Sequence, residues 1–340
     1  MSRTQSSAPT LESVAERAGV SRATAGRVLA GSPRVSEQAR AAVLAAADEL
    51  SYVTNQAARS LVTRRSDSVA FVVVEPEERF FGDPFFALVL RGVHSALAKG
   101  RTQVLFVILA DQQDRDRFER FARGGHLDGA IFVSLHGPDP LPERLHRSGL
   151  PVVLSGRPYE VASTLPFVST DNTGGAQLAT DALVARGCRR IVNIAGPADM
   201  TPGLDRAEGY RRAIARAGGR VRQRDIVHGD FSLESGRAAM ERLLGQVPDL
   251  DGVFAANDLM ALGALQALAA AGRVVPDDVA VVGFDDIPLA ASARPALTTV
   301  RQQMSVLGSE MASLLLRTIG TQEAVGSVVV PAVLVRRDSA

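Results

Sequence analysis

The short apolar runs in the long second part of this chain end on a row of polar residues. These are Asp111, Ser134-Leu135-His136, Gly156-Arg157, Asp171-Asn172, His228-Gly229-Asp230, Asn257-Asp258 and Asp285-Asp286. Carboxylates and amides offer paired acceptors and donors to hydroxyl groups, and Phe85, Phe86 and Phe231 add flat apolar faces. That mixture suits a neutral polyol such as a sugar. Some of the row can instead cap the helices that follow, Asp258 and Asp286 above all. Reaction chemistry finds no comparable set. Lys99, the only lysine, precedes Gly100, so there is no phosphate-cradling GxxxxGK[ST] loop. Neither a G-x-S-x-G elbow nor an H-E-x-x-H pair occurs. The five histidines (94, 126, 136, 146 and 228) are scattered without metal-ligand spacing. Asp285 and Asp286 are adjacent on a strand end and point apart, unlike the facing carboxylates of a glycosidase. A cytoplasmic sugar-processing enzyme is therefore the weaker alternative, and no catalytic residue, metal or cofactor is expected.

Elements that could carry this row follow from the pattern of apolar runs. Strands are predicted at VAFVVV (69–74), QVLFVIL (103–109), GAIFVS (129–134), PVVLSG (151–156), FVSTD (167–171), RIVNIAG (190–196), DIVHGD (225–230), GVFAAN (252–257) and VAVVGFD (279–285). Helical stretches fill the gaps, among them 86–99, 176–186, 206–217 and 259–270. Near-continuous apolar strands alternating with helices imply buried parallel sheets, and this many strands suit two α/β lobes better than one. Ligands of such sheets bind at the carboxyl ends of the strands, where the polar row stands. The chain's 340 residues exceed one ordinary core. A single cysteine, Cys188, precludes an intrachain disulfide and points to a reducing compartment. With no apolar signal core in MSRTQSSAPT and no apolar run of membrane-spanning length, a cytoplasmic protein without a membrane partner is expected. An exported sugar-binding protein of the same body fold is disfavoured on the same grounds.

The front of the chain has a different grammar. In TLESVAERAGVSRATAGRVL, Leu11, Val14, Ala15 and Ala18 share one helix face. Gly19 can take the positive φ of a tight turn, and Ser21 is a good N-cap for a second helix over 22–29. That helix turns Ala25, Val28 and Leu29 inward and Arg22, Ala23 and Arg27 outward. A third helix runs from the Ser36 cap to about Leu50, with Ala39, Val43, Leu44, Ala47 and Leu50 as its apolar set. The pattern fits a helix-turn-helix, whose second helix enters the major groove of DNA. A small helical bundle with a solvated Arg face fits the spacing too. Residues 1–65 hold nine Arg against five Asp or Glu in a chain of net charge +1, and a basic head favours a polyanionic partner.

Beyond spacing, VAERAGVS, RVL.GSP.VS and NQAARSL stand in the order found in the lactose-repressor (LacI/GalR) family, and the N-terminal part of this chain resembles that family over about sixty residues. The body resembles it too, through DPFF, LDRAEGY, GDF, AAND, GFDD and PALTTVRQQ. The resemblance implies an all-α helix-turn-helix DNA-binding domain joined to a two-lobed, periplasmic-binding-protein-like sensor with doubly wound parallel sheets. The expected DNA-binding domain is 8–54, a hinge helix and linker 55–67, and a sensor 68–340. The sensor's N-lobe is placed at about 68–167 and 300–327, and its C-lobe at about 168–299 and 328–340. Ser21, Arg22, Ala23, Thr24 and Arg27 would face base edges or phosphates, with Tyr52, Asn55, Arg59 and Arg64 also at the DNA. Leu61 would wedge into the minor groove, where an apolar side chain kinks the duplex. Phe85, Phe86, Arg206, Phe231, Asn257 and Asp285 would contact the ligand, with Arg157 beside them. The chain departs from the family in Val53-Thr54-Asn55, where Arg-Pro-Asn is usual, and in Gly156, where many members have Asp. The implied function is repression of carbohydrate-utilisation genes by a homodimer on a palindromic operator, relieved by a sugar effector. SLHGPDPLPERL and GRP most resemble members that sense glucosides such as cellobiose. A regulator responsive to a purine or another small molecule is the alternative within the family.

Overall fold

The computed structural model describes residues 9–30, 32, 34–52, 65–98, 100–320 and 326–340, in two compact units, Met1–Ser66 and Asp67–Ala340. In the first unit a capping box between Thr10 and Ser13 opens helix α1 (Leu11–Arg17). Gly19, at φ 66°, makes the turn. The Ser21 hydroxyl accepts from the Thr24 amide at 3.1 Å to start α2 (Arg22–Leu29). Ser36 does the same for α3 (Glu37–Glu49). The three helices close on Val14, Ala15, Ala25, Val28, Val43, Ala46 and Ala47. Leu44, expected in that core, is 52% exposed. Val43, Ala46, Ala47 and Leu50 form the i, i+3, i+4, i+7 stripe, and Leu44 falls outside it.

The second unit holds two six-stranded sheets. The first contains β1 (Ser68–Val73), β2 (Gln103–Ile108), β3 (Gly129–Val133), β4 (Val152–Ser155), β5 (Phe167–Thr170) and β11 (Val328–Val330), all parallel, in the order β11-β5-β4-β3-β1-β2. The second contains β6 (Ile191–Ala195), β7 (Ile226–His228), β8 (Gly252–Ala255), β9 (Ala280–Asp285), β10 (Thr298–Arg301) and β12 (Val333–Val335), in the order β12-β10-β9-β8-β6-β7. Only β12 is antiparallel to its neighbour in that sheet.

Helices cover both faces of each sheet: α4 (Glu77–Gly82), α5 (Pro84–Leu97), α6 (Gln112–Arg123), α7 (Leu141–Arg147) and α13 (Met304–Gly320) on the first lobe, and α8 (Asn172–Arg186), α9 (Thr201–Arg216), α10 (Leu233–Gln246), α11 (Asp258–Ala270) and α12 (Pro288–Ser292) on the second. Strand alternation divides the side chains. Val69, Phe71 and Val73 of β1 pack under α5 and α13, while Ala70 and Val72 pack under α6 and α7. The α5–α13 contact depends on glycine at two positions: a Cβ on Gly92 would lie 2.1 Å from the Ser305 carbonyl, and one on Gly308 2.0 Å from that of Val89.

The chain passes between the lobes after β5, after β10 and between β11 and β12. Each crossing lies a few residues beyond the expected 167/168, 299/300 and 327/328, because each strand completes its pairing first: Thr170 is matched to Val330, and Arg301 to Asp285. Among the described residues no helix is long and apolar enough to cross a membrane.

Candidate functional site

On the first unit Ser21, Arg22, Ala23 and Arg27 are exposed along one side of α2. Ser21 and Thr24 are partly committed to the helix, their hydroxyls 2.9 Å apart at its N-terminus. Arg22 pairs with Glu12 at 2.9 Å across an exposed surface, a contact that a phosphate can replace at little loss. Arg27 lies along its own helix, its Nε donating to the Ala23 carbonyl at 3.2 Å. Tyr52 packs against the unit's core. Asn55, Arg59, Leu61 and Arg64, and with them residues 55–64 of the expected 55–67 hinge and linker, lie outside the described residues.

In the second unit the carboxyl ends of both sheets face a cleft of about 450 Å³. Phe85, Arg157, Arg206, Phe231, Asn257 and Asp285 all line it. Phe86 does not: it is 1% exposed and belongs to the core beneath the first sheet. Successive helical residues point about 100° apart, so α5 cannot aim both rings of DPFF at one cavity. Backbone strain gathers at the site. Ser134, Phe231, Asp285 and Asp286 have φ of 64°, 71°, 114° and 59°, values that side chains other than glycine adopt rarely.

Arg206 and Asp285 form its centre. The Arg206 guanidinium is buried, lies 3.8 Å over the Phe284 ring, and donates from Nε to Asn172 Oδ1 at 2.9 Å. Its Nη1 donates to the Ala256 carbonyl at 2.5 Å and reaches Asp285 Oδ1 at 3.3 Å. Gln302 Nε2 donates to the same Asp285 oxygen at 2.5 Å, and Gln302 Oε1 accepts from Thr170. Burial pushes the Asp285 carboxyl up to about 7, partly opposed by Arg206, and lowers the pKa of Arg206 itself. Among the described residues Arg206 Nη2 and Asp285 Oδ2 make no hydrogen bond. A donor and an acceptor are thus left without partners on two contacting residues that line the cleft, and neighbouring hydroxyls can satisfy both.

Phe231 supplies the flat face, its ring lying against Gly196, where a Cβ would come within 2.4 Å. Asn257 donates to the Phe231 carbonyl at 2.9 Å and caps α11 through the Met260 amide. That cap corrects the expectation for Asp258, which is instead wholly buried and takes hydrogen bonds from Thr299 and the Ile287 amide. Asp286 likewise caps nothing and pairs with Arg301 and Arg337. Asp111 and Asp171 cap α6 and α8.

Contacts across the cleft join the lobes. Arg157 forms a bidentate pair with Asp205, closest at 2.7 Å. Arg79 Nη1 donates to the Asp230 carbonyl at 2.6 Å. His136 stands between Glu75 of its own lobe, at 3.2 Å, and Asp199 of the other, at 2.9 Å. Those two carboxylates, Glu75 first, raise the imidazole to about 9 against the effect of burial. Sequence reasoning missed Gln302 and Asp83, which line the cleft too. Gln302 follows β10, so the strand-end rule would have found it had that four-residue strand been read.

Comparison with known proteins places these two sites together in one set of relatives. The profile described as "Bacterial regulatory proteins, lacI family" matches residues 10–55, and "Periplasmic binding protein-like domain" matches 180–340. The HTH-type transcriptional regulator CelR of Thermobifida fusca is 46% identical over 312 residues, covering 92% of each chain. The ribose operon repressor of Escherichia coli (strain K12) is 34% identical over 313 residues, 91% of this chain and 93% of that one. Among solved structures, a CelR–cellobiose complex superposes with a TM-score of 0.79 at 43% identity, over 98% of this chain and 100% of the other. The lac repressor dimer bound to operator and the anti-inducer ONPF superposes with a TM-score of 0.85 over 98% and 99%; at 24% identity it attests the fold.

Proposed function

Since the chain belongs to the lactose-repressor (LacI) family of bacterial regulatory proteins, a family of DNA-binding transcription regulators and not of enzymes, we propose that it is a cytosolic repressor of carbohydrate-utilisation genes that cellobiose or a closely related β-glucoside releases from its operator. The observation that carries the effector class is the Arg206–Asp285 pair beside Phe231: one free donor, one free acceptor and a flat ring at the end of an interlobe cleft. The similarity to a regulator solved with cellobiose supports the choice among sugars.

A homodimer is the assembly that matches a palindromic site, since one helix-turn-helix makes few contacts. The second unit offers an apolar sheet edge for it. β2 is the edge strand of the first sheet, and Leu105 and Phe106, on opposite sides of that strand, remain 39% and 36% exposed where parallel strands are ordinarily covered. Phe81 adds a ring that is 75% exposed. A gel shift on the palindrome upstream of the regulated genes tests the reading: the full chain shifts it, and cellobiose abolishes the shift. Retention of the complex at saturating cellobiose would contradict cellobiose as the effector.

A further inference from the structure

The lining of the cleft continues past the interlobe gap into the first lobe alone, between α7 and the segment that follows β4. Pro138, Pro140 and Pro142 border one side of this extension, and Tyr159 and Glu160 the other. We propose that the extension is a second sugar-ring subsite, with Tyr159 as its stacking platform, making the chain a sensor of β-linked disaccharides and longer glucans in preference to monosaccharides. The proposal deepens the effector reading above and rests on it.

Its walls are fixed before any ligand arrives. Asp139 is ion-paired with Arg115 and accepts from the Leu141 amide at 3.0 Å, which anchors the proline-rich loop to α6 and α7. Ser163 Oγ donates to Glu143 Oε1 at 2.5 Å, tying the Tyr159 segment to the opposite wall. Preorganised walls spare a ligand the entropy of ordering them. The chemistry is that of a pyranose ring: proline and tyrosine faces for its C–H surfaces, and acceptors for its equatorial hydroxyls. Glu160's carboxylate makes no hydrogen bond among the described residues and is available as such an acceptor. Arg157, which could otherwise hold an anionic sugar, is taken by Asp205. Glu143 and Glu160 further oppose a phosphorylated ligand. The other end of the cleft, at Arg206 and Asp285, serves the first ring.

Calorimetry on the full chain with glucose, cellobiose and cellotriose tests this. The wild type should bind cellobiose at least about tenfold more tightly than glucose. Tyr159→Ala, on an exposed segment away from either core, should lose about tenfold toward cellobiose and cellotriose and less than about twofold toward glucose. Tyr159→Phe, which keeps the ring, should stay within about twofold of wild type for all three. Equal losses toward glucose and cellobiose in Tyr159→Ala, or no loss, would overturn the subsite while leaving cellobiose as effector. Loss in Tyr159→Phe equal to that in Tyr159→Ala would overturn the stacking role. Failure of the wild type to bind any of the three sugars would overturn the effector reading and the subsite with it.

Discussion

Phe85 and Phe86 are neighbours in sequence and part company in the fold, one lining the cleft and the other buried beneath a sheet. The motif that carried both shows which residues matter without showing which way a helix turns them; that depends on where α5 starts, fixed by Asp83 capping Phe85. Arg206, Phe231, Asn257 and Asp285 were legible because each stands at a strand end or in a family motif. Their division of labour was not, since Asn257 serves largely to hold α11 and the Phe231 carbonyl. Asp285 makes a prediction at this scale. Burial raises it to about 7, so below that pH the effector-free protein keeps a proton on it. Sugar hydroxyls donate to the ionised form, so binding must release that proton. Affinity should therefore be flat above about pH 7 and fall below it, by up to about tenfold per unit. Calorimetry at pH 8, 6.5 and 5.5 would show this, and a constant affinity across that range would deny Asp285 its role.

At the scale of elements, β1 to β9 were readable as apolar runs, whereas β10, β11 and β12, three or four residues each, were not. Length is not the reason, since β4, β5, β7 and β8 are as short: β10 holds a single apolar side chain, Val300, and β11 and β12 are edge strands of their sheets, so tertiary pairing decides all three. Helices α6, α10 and α13 fill gaps between the strands and carry amphipathic patterns. Close helix contacts are likewise invisible before the partner is known. Gly308 reads as an ordinary helix glycine, yet α13 can approach α5 only without a Cβ there. Gly308→Ala should destabilise the sensor by about 1–3 kcal/mol, because backbone and not a pliable side chain lies in the way. Urea unfolding of the effector-free protein would register it; a wild-type midpoint would mean the helices separate freely.

For the whole molecule, the lobes of the sensor are joined by polar contacts that a ligand can reinforce or rearrange. His136 illustrates their pH dependence. Both ring nitrogens face carboxylates, one in each lobe, and its pKa is raised from 6.5 to about 9. A histidine raised in this way contributes stability in full below 6.5 and loses it as pH rises through about 9. The melting temperature of the wild type should exceed that of His136→Asn at pH 6, and the gap should close by pH 10. A gap independent of pH would remove the charge from the contact.

In the proposed function one unit reads DNA, the other reads a sugar, and the sugar lowers the first unit's affinity. Effector coupling of this kind typically amounts to about 5–150-fold. Asp285→Asn separates the two activities: Asn tolerates the φ of 114° better than Ala, and its amide keeps an oxygen for Gln302. The most direct measurement is operator binding by fluorescence anisotropy, with and without saturating cellobiose, for wild type and Asp285→Asn. Wild-type Kd should rise at least about fivefold with the sugar, while Asp285→Asn should match the wild type without sugar and fail to respond to it. An Asp285→Asn protein that has lost the operator in the absence of sugar, or that still releases it as the wild type does, would contradict the account.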